Sequence, residues 1–484
     1  MKTKLFAAII LVSMIGTMLV ACQGEKNTEI SDLNGMQGTS ETTEEIVIDE
    51  SNVLTLFEKE NFEGRTFNVL CASVFNSAII VPQSPDSDIV GEPVNDALFA
   101  REYMIEDFYN VAIEYTVADS DDHVRQIMEK NITAGEDTFH LALGSMAVTA
   151  YPIALKGLLI DLNSLPEINL ENQWWNKHTI KDLCIDNKVY FATGDITNRS
   201  VTAISGYAFN MTLFKDYNIE YPYKSINDGT WTFEKMAEIY KGKAQDLNGD
   251  GEFRCDDDFI PLHTGGYINY FCAGGRIVDK NTEGKLELVY DTQSNVDLLD
   301  NLLTVISGND VLYNTGYSGA DAFKENRVMF LYLAGCDLSL LRDMNDDFGF
   351  VLFPKYREND DYITPGNYWI ATCAMIPKTV KSEDMHFAAK MTETMAAVSR
   401  YTSIKAKYDI LLMEKELRDE DSKKMVILAT NTMAFDMGKL GNIGNIAGII
   451  EEAFTERNEY MSKYAAASEK ATAELNELVE AIGN

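Results

Sequence analysis

Thr66-Phe67-Asn68-Val69-Leu70, Val111-Ala112-Ile113-Glu114-Tyr115 and Phe139-His140-Leu141-Ala142-Leu143 are three short strand-like runs, and two stretches of helical spacing lie between them. The first stretch, Asp96–Tyr109, carries Ala97, Leu98, Met104, Ile105 and Phe108 on one period; the second runs from His123 to Ile132. Strand, helix, strand, helix, strand is the rhythm of a sheet whose parallel strands need helical crossovers packed on its faces. The expectation is therefore an α/β fold with mainly parallel sheets flanked by helices. No Gly-rich phosphate loop follows any of these strands. Gly438–Gly448 has no strand before it and reads as a loop without a nucleotide role. The final segment, Ile449–Ile482, reads as one long helix that packs on the domain through Phe454, Met461, Tyr464 and Leu475.

The chain has 484 residues, too many for one ordinary core, so two or three domains are expected. Its 46% hydrophobic content with 31 Gly and 10 Pro is a globular balance. The 41 Lys and Arg stand against 76 Asp and Glu, a net charge of −35. Such a surface repels phosphate backbones, which removes nucleic acid as a partner, and it has no polybasic grip on anionic lipid.

Lys2 and Lys4 precede an apolar run from Leu5 to Val20, shorter than the ~20 residues a membrane-spanning helix needs. The run closes on Leu19-Val20-Ala21-Cys22, which resembles the lipoprotein box of bacterial signal peptides; an ordinary signal peptide or short anchor is the alternative. The resemblance implies a cleaved signal over residues 1–21 and a Cys22 thiol carrying a palmitate-type lipid, leaving a mature chain two positive charges poorer. Residues 22–55 open with a Glu-, Thr-, Ser- and Gly-rich tether that cannot bury enough apolar surface to fold. An exported, lipid-anchored protein on a spacer is expected at the outer face of the cell membrane, on a Gram-positive surface, with a periplasmic location as the alternative. The six further cysteines (Cys71, Cys184, Cys255, Cys272, Cys336, Cys373) are scattered, without C-x-x-C or zinc spacing, and are expected as buried small hydrophobes.

Asp246-Leu247-Asn248-Gly249-Asp250-Gly251-Glu252-Phe253-Arg254-Cys255-Asp256-Asp257 follows the calcium-loop pattern. Asp246, Asn248 and Asp250 stand at positions 1, 3 and 5, Gly251 at the turn, Glu252 offering its carbonyl at 7, and Asp257 at 12. Two departures stand out: Asp rather than bidentate Glu closes the loop, and Arg254 puts a cation at position 9. A structural calcium ion is the expectation; a metal-free acidic turn is the alternative. Thr232 is placed to cap a preceding helix that carries Phe233, Met236, Ala237 and Tyr240 on one face.

Further segments, in order, resemble the extracellular solute-binding proteins of carbohydrate ABC transporters, the maltose-binding-like family 1. They are Val94-Asn95-Asp96-Ala97 with Ile105–Val111, Leu155–Leu162 ("G-x-L-x-D-L"), Asp186–Ala192 ("D-G-K-x-Y") and Gly206–Asn210 with Leu213-Phe214. Gly229–Glu234 ("T-W-D-E"), Ala322–Phe330 with Asn326 where Gly usually stands, and Ala374–Lys378 ("A-I-P-K") complete the set. The resemblance spans nearly the whole chain beyond residue 60. It implies a type II two-lobed periplasmic-binding-protein-like fold with the ligand in the inter-lobe cleft. Lobe 1 would hold residues 60–195 and about 362–405, and lobe 2 residues 196–358 and about 406–484.

The same resemblance implies a monomeric protein that captures a sugar or oligosaccharide and hands it to ABC permease subunits served by a cytoplasmic ATPase. Sugars are held by carboxylates and amides on their hydroxyls and by aromatic faces on their C–H patches. Position relative to the family's cleft selects Phe75 and Asn76 after the first strand, Ser145 at a helix start, Asp195 at the first hinge, Tyr332, and Trp369 on the return crossing; core packing is the alternative for each. Adjacent Trp174 and Trp175 are expected to point different ways, in surface or core roles, and Trp231 to anchor a helix start. A glycan-active enzyme is not expected, since no nucleophile elbow, H-E-x-x-H or triad signature is present. A peptide or other small solute on the same fold is the alternative ligand.

Overall fold

The βαβ rhythm is realised with extended edges. The computed structural model describes residues 47–72, 93–313, 318–413, 417, 419–456 and 460–483. Along the chain the described strands are β1 (Arg65–Ala72), β2 (Val111–Ala118), β3 (Leu141–Ser145), β4 (Ala192–Thr193), β5 (Ser205–Asn210), β6 (Leu262–Thr264), β7 (Val278–Lys280), β8 (Leu286–Leu288), β9 (Val311–Tyr313), β10 (Phe330–Ala334), β11 (Phe348–Val351), β12 (Thr364–Pro365), β13 (Thr372–Met375) and β14 (Met433–Ala434). Within the unit Asn52–Asn484 they form two five-stranded sheets, ordered β2-β1-β3-β13-β4 and β11-β5-β10-β6-β9, and two small two-stranded ones.

In each large sheet four of the five strands point the same way and one runs antiparallel, so both are mainly parallel with one reversed strand. In the first, β1 is parallel to β2 and β3, but β13 runs antiparallel to β3 and β4. In the second, β10, β6 and β9 are parallel while β5 is antiparallel to both β10 and β11. The antiparallel members are the strands that arrive from the other lobe, which the local βαβ pattern could not foresee. The chain passes between lobes three times: between β4 and β5, between β11 and β13, and between the helices Ser403–Met413 and Glu420–Asn431.

Helices Pro93–Tyr109, Asp121–Thr133, Ser382–Tyr401 and Ser403–Met413 pack on or around the first sheet, and Glu420–Asn431 lies on β11 of the second. The Asp121–Thr133 helix starts where Ser120 accepts from His123 N–H, with Asp121 and Asp122 in its first turn. Asn110, at φ 51°, takes the left-handed turn between helix Pro93–Tyr109 and β2. Asn326 does the same at φ 59°, and its amide accepts from Asn210 and donates to Asp346, both at 2.6 Å. A glycine there would supply the turn without those bonds, which explains the departure from the family pattern. Thr232 caps helix Phe233–Tyr240, and the buried Trp231 indole donates to the Leu352 carbonyl at 3.1 Å.

The C-terminal reading needs correction. Gly438–Gly448 is not a plain loop, and a strand does precede it: β14 ends at Ala434, helix Met437–Leu440 runs into the segment, a 3-10 turn at Ile443–Asn445 lies within it, and helix Ile446–Glu456 begins there. The expected single helix is two, Ile446–Glu456 and Tyr460–Gly483. Among the cysteines, Cys71, Cys272 and Cys373 are buried, whereas Cys184 and Cys255 are partly exposed. No described helix is long and apolar enough to cross a membrane.

Trp174 and Trp175, expected to diverge, converge instead on one buried carboxylate. Glu393, 3% exposed on helix Ser382–Tyr401, accepts from Trp174 Nε1 (3.0 Å), Trp175 Nε1 (2.8 Å) and Asn172 Nδ2 (2.7 Å). Burial raises its pKa, and these three donors work against that rise. Substituting Glu393→Gln turns an amide N–H toward an indole N–H and leaves donors facing each other. The expected cost is about 1–3 kcal/mol in urea unfolding; an unchanged midpoint would show that the carboxylate does not hold this corner.

His263 on β6 is 1% exposed, and its Nε2 has no hydrogen-bond partner among the described residues. Burial, reinforced by the nearby Arg327 charge, holds its pKa down to about 4. A depressed histidine contributes stability that is present above its unfolded value and lost as pH falls toward the folded one. Between pH 7.5 and 5 this residue should remove about 2 kcal/mol of stability. His263→Leu should flatten that part of the pH–stability curve; parallel curves for variant and parent would refute the assignment.

Candidate functional site

In open α/β sheets, strand ends and the connections leaving them form the ligand crevice. At the carboxyl end of β3 the chain turns through Ser145 directly into a π-helical turn, Met146–Ala150. The first amides of that turn are already taken by the return crossing: Met146 N–H donates to the Ala371 carbonyl (2.8 Å) and Ala147 N–H to the Tyr368 carbonyl (3.0 Å). The Ser145 hydroxyl is buried and accepts from Val148 N–H at 3.4 Å.

Two charged residues organise this corner. Asp121, at the start of its helix, accepts from Ser145 N–H through Oδ1 (2.7 Å), and its carbonyl accepts from the Thr149 hydroxyl (2.8 Å). Its Oδ2 lies 3.3 Å from Arg199 Nη2, whose side chain is fully buried on the short helix Arg199–Thr202 of the first crossing. The same Nη2 donates to the Trp369 carbonyl at 3.3 Å. Trp369 N–H in turn donates to Asn367 Oδ1 at 3.0 Å. The backbone of Trp369 is thus held on both sides while the residue stays 65% exposed; the other three tryptophans are buried.

The crossings are joined to each other and to the second lobe. Asn367 N–H donates to the Ala203 carbonyl (2.7 Å), and Gly335 N–H, just past β10, donates to the Ile204 carbonyl (2.6 Å). Tyr368 stacks edge-on against Phe435, and its hydroxyl accepts from Asp436 N–H at 2.9 Å. Asp436 is buried and accepts from Ile277 N–H (2.8 Å), Gly438 N–H (2.7 Å) and the Tyr267 hydroxyl (3.1 Å). At the carboxyl end of β6 the amides of Gly266 and Tyr267 are capped by the Glu451 carboxylate at 2.9 and 2.7 Å.

The structure brings Ser145 and Trp369 together through Asp121 and Arg199. Tyr332 lies on β10, half-buried and opposite Tyr207, with its ring 5.7 Å from Phe353; burial pushes its hydroxyl up to about 12. Asp195 is engaged by the protein itself: Arg400 Nη1 lies 2.6 Å from its Oδ2, and burial raises its pKa against the pull of that charge. Phe75, Asn76 and Cys22 lie outside the described residues. Asp121 and Arg199 were not anticipated, although an arginine two residues before the largely apolar Val201-Thr202-Ala203-Ile204 was the available signal.

The calcium-type loop keeps the expected turn but not an open ligand set. Asp246 accepts from Gly249 N–H (2.6 Å) and Gly251 N–H (2.8 Å), Asn248 Oδ1 from Asp250 N–H (2.9 Å), and Asp250 Oδ1 from Glu252 N–H (2.8 Å). The Arg254 guanidinium bonds Asp250 Oδ2 and Glu252 Oε2, and its Nε lies 3.7 Å from Asp257 Oδ2. These carboxylates raise the Arg254 pKa, led by Asp250. Among the described residues no group of three His, Cys, Asp or Glu side chains is placed to hold a metal ion. In this arrangement the Arg254 guanidinium supplies positive charge beside Asp250, Glu252 and Asp257, while Asp246 and Asn248 turn side-chain oxygens to amides of the loop itself. Millimolar calcium or a chelator should leave the melting temperature of the protein unchanged, whereas Arg254→Gln should become calcium-stabilised. A calcium-dependent melting temperature in the unsubstituted protein would reverse this reading.

No protein-family profile and no curated protein matches the chain. Solved structures do. A cyclic alpha-maltosyl-1,6-maltose binding protein from Arthrobacter globiformis is 16% identical over 85% of this chain and 98% of its own, with a TM-score of 0.56. A cyclo/maltodextrin-binding protein complexed with maltotetraose is 12% identical over 87% and 98%, TM-score 0.51. UgpB from Mycobacterium tuberculosis, in complex with glycerophosphocholine, is 13% identical over 80% and 97%, TM-score 0.51. At these identities the likeness is one of architecture, and the chain has the two-lobed α/β fold of the type II solute-binding proteins.

Proposed function

We propose that the protein is an extracytoplasmic solute-binding protein that captures a sugar or oligosaccharide between its lobes and delivers it to an ABC permease. The observation that carries this reading is Trp369: an exposed indole on a backbone held from both sides, at the crossing between two α/β lobes. A flat aromatic face on a backbone held in place suits the C–H face of a pyranose; Asp121 is linked to that backbone through Arg199 on the first lobe, and Tyr332 lies on β10 of the second. Two of the matched structures are named for maltose-type oligosaccharides, which supports the same class of ligand. Those two are named as binding proteins, which favours a binder over an enzyme. The glycerophosphocholine complex keeps a second reading open, a non-sugar small solute in the same cleft.

The signal-like start and Cys22 support a lipid anchor at the membrane, with the acidic tether as spacer and the permease, with its cytoplasmic ATPase, as partner. A protein with Cys22→Ser, begun at that residue, allows the ligand test in solution. Mono- and oligosaccharides, peptides, amino acids and glycerophosphocholine should be screened by melting temperature. A sugar at 100 times its dissociation constant stabilises by roughly 2.7 kcal/mol and should be recovered unhydrolysed. Trp369→Ala should weaken that sugar at least tenfold without lowering the melting temperature of the free protein. Stabilisation by peptides or glycerophosphocholine alone would overturn the sugar reading.

A further inference from the structure

The Asp121–Arg199 pair is an expensive way to hold a protein together. Burying two charges costs several kcal/mol per ion before any attraction is counted, and well-packed neutral residues of similar volume often stabilise as well or better. What distinguishes this pair is where its hydrogen bonds go. Asp121 reaches the β3 helix start through Ser145 N–H, and Arg199 reaches the return crossing through the Trp369 carbonyl. Four chain segments separated widely in sequence therefore meet on one carboxylate and one guanidinium nitrogen. The residue they secure is, among the described residues, the tryptophan left exposed at the crossings.

We propose that Asp121 and Arg199 are positioning residues of the ligand site, a charged strut that fixes the backbone from which the Trp369 ring is presented to the solute. This rests on the solute-binding reading above and names the residues through which that site is preorganised. The strut aims the indole before ligand arrives, so that binding does not bear the ordering cost of the crossing. Because Arg199 sits on the outgoing crossing and Trp369 on the returning one, a ligand stacked on the ring also acts on both segments that must bend when the lobes close.

The test uses the double variant Asp121→Asn/Arg199→Met. Asparagine keeps an acceptor for Ser145 N–H, and methionine fills the arginine's volume without its charge, so no unpaired charge is left buried. Single variants Arg199→Met and Asp121→Asn each strand one charge and should unfold at lower temperature; the double variant should regain most of that loss. The protein contains four tryptophans, so 5-fluorotryptophan labelling yields four 19F resonances. The Trp369 signal is identified by its loss in Trp369→Phe.

In the double variant the Trp369 resonance should move toward the solvent value while those of Trp174, Trp175 and Trp231 stay in place. Affinity for the stabilising sugar should fall at least tenfold, with Arg199→Lys intermediate. An unmoved Trp369 resonance overturns the proposal whatever the ligand proves to be. A moved resonance with unchanged affinity overturns it equally, since the ring would then need no strut. A moved resonance in a protein that binds no sugar supports the strut and refutes the sugar reading, which keeps the two conclusions separable.

Discussion

A single backbone hydrogen bond, from Asn367 N–H to the Ala203 carbonyl at 2.7 Å, ties the outgoing crossing to the returning one. Much else in the molecule follows from it. With the two crossings joined, the ends of β3 and β10 are brought to the same place, and the polar groups exposed at those ends must be satisfied there. Met146, Ala147 and Gly335 each donate an amide to a carbonyl of a crossing segment. The result is a seam in which main-chain groups of strand ends and crossings satisfy one another, and where the side chain of Trp369 stands out because its main chain is held. Residues at this seam have positions that depend on both lobes, and the proposed closure on a small solute would require that.

The second constraint is charge. Of the chain's 76 acidic residues a few are buried. Glu393, Asp436 and Asp195 each meet donors rather than apolar walls. Glu393 collects two indoles and an amide, Asp436 two backbone amides and a phenol, and Asp195 a guanidinium. Arg101, fully buried beside Glu102, shows the same logic from the cationic side, donating to Glu102, Tyr115, Ser399 and the Ile196 carbonyl. An unpaired charge in any of these places would destabilise the fold severely. These buried acids thus mark joints of the protein, and the acids left outside serve as a soluble face.

Several features were legible in the chain before any coordinates. Alternation and helical spacing located the strands and helices of the first lobe to within a few residues, because both periods arise from local backbone geometry. The Thr232 cap was readable for the same reason, being decided by a backbone amide three residues away. Arg254 shows where local reading weakens: the pattern around it names calcium, yet a side chain within the loop can occupy the same charge balance. Trp174 and Trp175 show where it fails. Two adjacent residues face one way only if the chain between them is not a regular strand, and a carboxylate more than two hundred positions away decides that they should.

By itself the sequence determined the element types and the acidic balance, since each rests on composition or on spacing within one turn of chain; the place of Trp369 on a return crossing was only what the family resemblance implied. Tertiary structure alone decided the reversed strand in each sheet, the division of the last helix, the partners Arg254 takes in the acidic loop and the strut beneath Trp369. Asp121, Ser145, Arg199 and Trp369 lie as much as 248 residues apart. Nothing in their local sequence can set the 3.3 Å distances between them; those arise only after two passages of the chain have brought strand ends and crossings into one seam.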